Sequence, residues 1–273
     1  MKISLLTTLA MIAGLASAQA QQQQPAASAA PAPADLGARV EIDPAAMALV
    51  KAMCDKLAAA KTMSFTAVAT YESPDRTGQP LAYTTLSQVT LQRPDKLRII
   101  SPGDGPRTEF YYNGKTVQAY EPSANLVAIT EAPNTIDTML RAAFEYAAIY
   151  FPFTDLIVSD PMKVIGENLR IAFVVGKSVV VGGVPTDIVV LVGRFAHVQL
   201  WIGSEDKLPR QALALFIGDP AHYRHTVQLS DWKLDATLPL DTFTWTPPVG
   251  AVRVPFASPG AFPASPVPPA DKK

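Results

Sequence analysis

Cysteine is almost absent from this chain: Cys54 is the only one in 273 residues. No intrachain disulfide can form, so a packed core has to supply the stability. Cys54 falls on the apolar face of an expected helix and reads as a buried, inert thiol. Histidine is nearly as scarce, with three in all. His222 and His225 have H-x-x-H spacing, but residues three apart on a strand face opposite ways. Placing His222 in the 218–220 turn relaxes that objection, yet a zinc site still needs a third and usually a fourth ligand. His197, beside a strand start, reads as a surface or partly buried side chain. An excess of charge of one sign is also missing. At a net charge of −1, there is no field to draw in DNA, RNA or an anionic membrane.

Long apolar runs are missing too. The run 3–15 is too short to span a bilayer. The Val-rich stretch 171–192 is broken by Lys177, Gly182, Gly183, Pro185 and Asp187. No later stretch has a transmembrane pattern. Familiar catalytic patterns are absent as well: no H-E-x-x-H, no G-x-S-x-G and no P-loop. Gly103-Asp104-Gly105 lies in a Pro-flanked loop between strands, so it reads as a turn and not a phosphate loop. Glu109, Glu121 and Asp187 are carboxylates available for acid–base work, but nothing in their spacing pairs them. The expectation is a non-enzymatic protein without metal or cofactor.

What is present begins with an export pattern. Lys2 supplies a positive start, 3–15 an apolar run, and Ala16-Ser17-Ala18 or Ala18-Gln19-Ala20 a small-x-small cleavage site. Residues 1–20 are therefore expected to be a signal peptide. No cysteine follows the cleavage site, so lipidation is not indicated and the mature chain is expected in the periplasm. Residues 21–41 form a low-complexity Gln, Ala and Pro tether, and 257–273 a Pro-rich tail. Neither has the apolar surface to offset its ordering entropy. One folded domain is expected over 42–256.

That domain opens with a helix. Asp43 can cap it with Pro44 at its first position, and Ala46, Val50, Met53, Cys54 and Leu57 recur at helical spacing. Strand patterns follow at 63–71, 81–93, 96–100, 107–112, 115–120 and 125–130. Asn113-Gly114 predicts a hairpin with positive φ at both turn positions. The period then changes. From a cap at Asn134, the residues Ile136, Met139, Leu140, Ala143, Phe144 and Ala147 predict a helix between Pro133 and Pro152. A short helical turn is expected at 153–158, then strands at 170–181, 187–192 and 223–234.

Between the last two lies the hairpin 197–216. Val198, Leu200 and Ile202 point one way, and Gln199 and Trp201 the other. On the return strand Gln211, Leu213, Leu215 and Ile217 oppose Arg210, Ala212, Ala214 and Phe216. Pro209 belongs at a strand start. Both faces carry apolar residues, so something covers each of them. The element order predicts an α+β fold: a large curved antiparallel sheet of about ten or eleven strands, an open half-barrel with helices on its concave side.

Leu200-Trp201-Ile202-Gly203, Leu208-Pro209-Arg210, Ser230-Asp231-Trp232 and Phe243-x-Trp245-x-Pro247-Pro248-x-Gly250-Ala251 resemble a family of uncharacterised bacterial periplasmic proteins. That family is related to the lipoprotein carrier LolA and to LppX-like lipid carriers. The resemblance covers about 43–256. It implies an unclosed barrel with helices plugging its mouth, a cavity holding acyl chains or lipids or a role in sensing proteins, and no catalytic motif.

The candidate ligand-contacting residues are Phe65, Tyr71, Phe110, Tyr112 and Trp201 on strands, with Met139, Leu140 and Phe144 on the covering helix. The bland alternative is that they pack on one another as closed core. Two functions remain. One is a carrier of a hydrophobic ligand such as a lipid, acyl chain or lipoprotein, with the 135–151 helix as a displaceable lid. The other is an interaction or structural module for an envelope protein partner, with a filled core.

Overall fold

The computed structural model describes residues 41–103 and 107–257. The expected signal peptide, tether and tail lie outside the described residues, apart from Glu41 and Ala257. The first helix, α1 (Pro44–Ala59), starts where its cap predicts. Asp43 accepts the Ala45 N–H at 2.8 Å, and Ala46, Val50, Met53, Cys54 and Leu57 form its buried stripe.

Six strands follow: β1 (Thr62–Pro74), β2 (Pro80–Gln92), β3 (Lys96–Ser101), β4 (Thr108–Tyr112), β5 (Thr116–Glu121) and β6 (Leu126–Glu131). Each pairs antiparallel with the next. The β4–β5 turn differs from expectation. Only Gly114 has positive φ, and the Asn113 carboxamide oxygen accepts from the N–H groups of Lys115 and Thr116. A side-chain bond shapes the turn in place of a second left-handed residue.

Three helices cross to the other edge: α2 (Ile136–Ala147), α3 (Thr154–Ile157) and α4 (Pro161–Gly166). The cap of α2 is Thr135, one residue after the expected Asn134, because its hydroxyl is the group that reaches the Thr138 N–H. The helix ends at Ala147, short of the expected Phe151. Ala148 turns left-handed at φ 53°. Its N–H reaches Phe144 O at 3.0 Å, and the Ile149 N–H reaches Ala143 O at 3.1 Å. These bonds close the helix and release 149–153 from it. Asp160 caps α4 with Pro161 at its first position.

The chain returns as β7 (Ile171–Ser178), β8 (Thr186–Val192), β9 (Ala196–Gly203), β10 (Pro209–Phe216) and β11 (Arg224–Leu234). β11 pairs with β1, which makes one sheet in the order β12-β6-β5-β4-β3-β2-β1-β11-β10-β9-β8-β7. The two edge strands do not pair with each other, so the half-barrel is open. Eleven strands correspond to those read from sequence. The twelfth, β12 (Val252–Arg253), was not expected, and it pairs parallel with β6. Two residues in a Pro- and Gly-rich segment carry no period to read.

Register assigns the faces. Met63, Phe65, Ala67, Ala69 and Tyr71 of β1 share the inner face with Leu91, Val89, Ser87, Thr85 and Tyr83 of β2. The inner face joins α1, α2 and α3 in one hydrophobic core. On the outer face at β4 and β5, Trp245 lies over Tyr111, centroids 5.4 Å apart, and Tyr120, 5.0 Å apart. The chain's own C-terminal segment is therefore what covers that part of the second face.

The quoted sequence motifs hold these layers together. Asp206 accepts the Leu208 N–H at 3.1 Å and pairs with Arg210. Its carboxylate occupies the space a side chain on Gly203 would need. The Trp232 indole N–H donates to Pro209 O at 3.0 Å.

Candidate functional site

The inner face changes character along its strands. Its lower rungs are large and apolar: Leu91, Leu97 and Tyr112, then Val89, Ile99 and Phe110. The next rung is small and polar. Ala67, Ser87, Ser101 and Thr108 lie side by side across β1 to β4, with the Ser87 and Ser101 hydroxyls 3.2 Å apart. Ala69 and Thr85 follow, then Tyr71 and Tyr83 at the rim. Small side chains where large ones would close the layer leave a half-open cavity, which also takes in Ala82 and Thr84 where β2 runs on beyond β3; its volume is about 580 Å³. That lies within the range of about 300–1,000 Å³ found for small-molecule sites. Tyr150, Phe151 and Pro152, released by the end of α2, form its opposite wall.

Aromatic rings define its floor and rim. Phe151 meets Phe110 edge-on at 5.3 Å and lies 5.7 Å from Phe153. Phe153 meets Phe65 at 5.4 Å, and Phe65 stacks on Trp232 at 4.4 Å. At the rim a second row crosses four strands: Tyr83 on Tyr71 at 5.6 Å, Tyr71 on His225 at 6.2 Å, and His225 against Phe216 at 4.9 Å. Beside that row Arg224 binds Glu72 through Nη2 at 2.7 Å and Nε at 3.1 Å. The Arg224 guanidinium hydrogen bonds hold the Glu72 carboxyl below the usual carboxylate range.

The wall containing Phe151 is anchored at its far end. Ile136 N–H donates to Pro94 O at 2.8 Å, and Ser159 N–H to Asp137 at 3.0 Å. Arg93 donates to Ile157 O at 2.9 Å and to Leu57 O at 3.4 Å, bridging α3 and α1. Burial pushes its guanidinium down from the ordinary value. The helices are thus tied near the start of α2, while Tyr150, Phe151 and Pro152 face the void.

Of the residues expected to contact a ligand, Tyr71 lines the cavity. Phe65, Phe110, Tyr112, Met139 and Leu140 are buried in the core, where the protein's own side chains surround them. Phe144 is 60% exposed. Trp201 stands on the outer face, in register with Gln211 and Ile188. The cavity residues that sequence reasoning passed over include Tyr83, Thr85, Ser87, Ser101, Thr108, Tyr150 and Phe151. A cue existed: Ser87 and Ser101 each break an apolar alternation two residues from Val89 and Ile99.

The carboxylates considered for acid–base work have other partners. Glu109 accepts from Arg107 and Tyr111, Asp187 pairs with Lys177 at 3.1 Å, and Glu121 accepts from the 123–124 turn. His222 sits in a turn with positive φ, and His225 belongs to the rim row. Among the described residues no group of three His, Cys, Asp or Glu is placed to hold a metal. No helix among them is long and apolar enough to cross a membrane. Burial raises the Cys54 thiol to about 12.

A family model described as a predicted periplasmic protein, DUF2092, matches residues 46–257. No curated protein matches the sequence. Among solved structures the chain is similar to an uncharacterised conserved protein from Thermus thermophilus, at 12% identity and TM-score 0.44, covering 76% of this chain and 98% of that one. It is similar to LprF from Mycobacterium bovis at 14% identity and TM-score 0.44, covering 72% and 97%. It is also similar to a LolA superfamily protein from Nitrosomonas europaea, at 11% identity and TM-score 0.34, covering 71% and 97%.

Proposed function

Because the chain belongs to the DUF2092 family of predicted periplasmic proteins, we propose that it binds an apolar or amphiphilic ligand without chemical turnover. The ligand enters the cavity below Tyr71 and Tyr83. Residues 1–20 direct export in this reading, and the mature chain is not lipidated. The observation that carries it is the void beside the inner face of the sheet, walled by Tyr150, Phe151 and Pro152.

Phe151 is the displaceable part. It is only partly buried, and fully burying a phenylalanine is worth about 1.5–3 kcal/mol. A methylene leaving water gains about 0.8 kcal/mol. Two to four methylenes, roughly, therefore outweigh the contact Phe151 gives up. The lid is thus the short 150–152 stretch, while Phe153 stays packed in the core and α2 stays tied through Asp137 and Ile136. Solvent extraction of protein purified from its native periplasm, followed by mass spectrometry, tests this. A bound amphiphile that is lost in Ser87→Trp, which fills the void, supports the reading. Clean wild-type protein contradicts it.

A second reading uses the edge strand β7, where Phe173 is 43% and Val175 52% exposed. A partner strand can add to such an edge. The irregularity between Val174 and Gly176 and the Ile42 bridge to Ala172 shorten the edge available. The cavity therefore carries the primary proposal.

A further inference from the structure

The cavity is not lined as a hydrocarbon slot would be. One wall is a set of hydroxyls on neighbouring strands: Ser87, Ser101 and Thr108 on one rung, Thr85 above them. Among the described residues the Ser87 and Ser101 hydroxyls bond only each other. Each keeps capacity to donate or accept that one bond does not use. A bare acyl chain laid against these groups would strip water from them and return no hydrogen bond, so it gains less on this wall than a ligand that bonds them. The facing elements are aromatic: Tyr150 and Phe151 on the lid, and the rim row that ends at Tyr83. Tyr83 stacks on Tyr71 with one face, is 46% exposed, and has no paired residue on β3. Among the described residues no charged side chain lines the cavity. Among the described lining residues none offers a counter-charge to a phosphate, sulfate or ammonium group, so such a group gains no ion pair from them.

We infer that the rim of this cavity recognises an uncharged, hydroxyl-bearing ring, which is the chemistry of a saccharide. One face of a sugar ring is rows of C–H bonds and packs flat on an aromatic ring such as Tyr83. Its hydroxyls both donate and accept, as the Ser87, Ser101, Thr85 and Thr108 groups do. The sugar is either the headgroup of an amphiphile whose tail displaces Phe151, or a free saccharide. This deepens the proposed function and rests on it for the use of the cavity.

Calorimetric titration of the folded chain tests it, with octyl β-glucoside and octyl phosphocholine as probes below their micelle concentrations. The expected result is at least tenfold tighter binding of the glucoside. Ser87→Ala/Ser101→Ala should weaken the glucoside fivefold or more and narrow the gap between the two probes. Thermal melting confirms that the variant folds; if it does not, the near-isosteric Thr85→Val replaces it, with a twofold or greater loss expected for the glucoside alone. Competition by methyl β-glucoside assigns the site to a free saccharide, and absence of competition assigns it to a headgroup. Equal affinity for both octyl probes, or a hydroxyl variant that binds the glucoside like wild type, overturns the inference and leaves ligand binding standing. Binding of neither octyl probe overturns both.

Discussion

Phe151 stands edge-on to Phe110, their ring centroids 5.3 Å apart at an angle of 73°. One ring belongs to the core of the sheet and the other to the wall of the cavity. The contact marks where packed interior ends and ligand space begins. Removing the Phe151 ring should join the cavity to space above the core. Phe151→Ala is expected to cost about 1–3 kcal/mol, less than for a fully buried ring, and to increase uptake of an apolar ligand. Urea denaturation and ligand titration on the same variant check both halves.

Leu140 is 6% exposed on the buried side of α2. Leu140→Glu places a carboxylate in the core with no partner, and is expected to destabilise the protein by about 3 kcal/mol or more. The loss should appear in thermal melting as strongly as in ligand binding. Leu140 is therefore an anchor of the lid, and Phe151 is the residue whose replacement separates binding from folding.

Gly203 shows how a family motif acts through structure. A Cβ there would lie 2.1 Å from the Asp206 carboxylate that supports Leu208. Gly203→Ala should cost about 1–3 kcal/mol through overpacking, read as a lowered urea midpoint with an unchanged slope.

The rim ion pair gives a pH dependence of known sign. The hydrogen bonds from Arg224 depress the Glu72 carboxyl in the folded state. Its stabilisation is present above the ordinary glutamate range and is lost as pH falls through the lowered folded value. Glu72→Gln should therefore lower the melting temperature at neutral and alkaline pH, flatten the acid limb of the profile, and converge on wild type at low pH.

Cys54 is 1% exposed, and burial raises its thiol to about 12. Maleimide should leave it unmodified in the native protein at neutral pH and label it fully in denaturant. Native labelling would show that α1 opens from the sheet.

Much of the fold was readable in the chain. The alternation of 197–216 separated Leu200 from Trp201, and the paired strands place them on opposite faces. The stripe of α1 was complete in sequence. The short α4 was missed although Asp160-Pro161 offered a cap, because six residues give too little period to read. Phe144 shows a sharper limit. At about 100° per residue it sits about 80° from Ile136, outside the arc of about −60° to 40° that holds Met139, Leu140, Ala143 and Ala147. Helical spacing alone included it, and only packing excludes it. The cavity itself was hidden because it depends on which strands become neighbours. Ser87 and Ser101 are 14 residues apart, and nothing local shows that they share a rung.

Diphenylhexatriene, an uncharged rod that fluoresces only out of water, tests the central claim most directly. Titrated into the folded chain, it should bind once per molecule in the wild type, more tightly in Phe151→Ala, and not at all in Ser87→Trp with its melting temperature retained. Fluorescence that is absent from the wild type, or unchanged by Ser87→Trp, would contradict uptake of an apolar ligand in the space beneath Tyr71 and Tyr83.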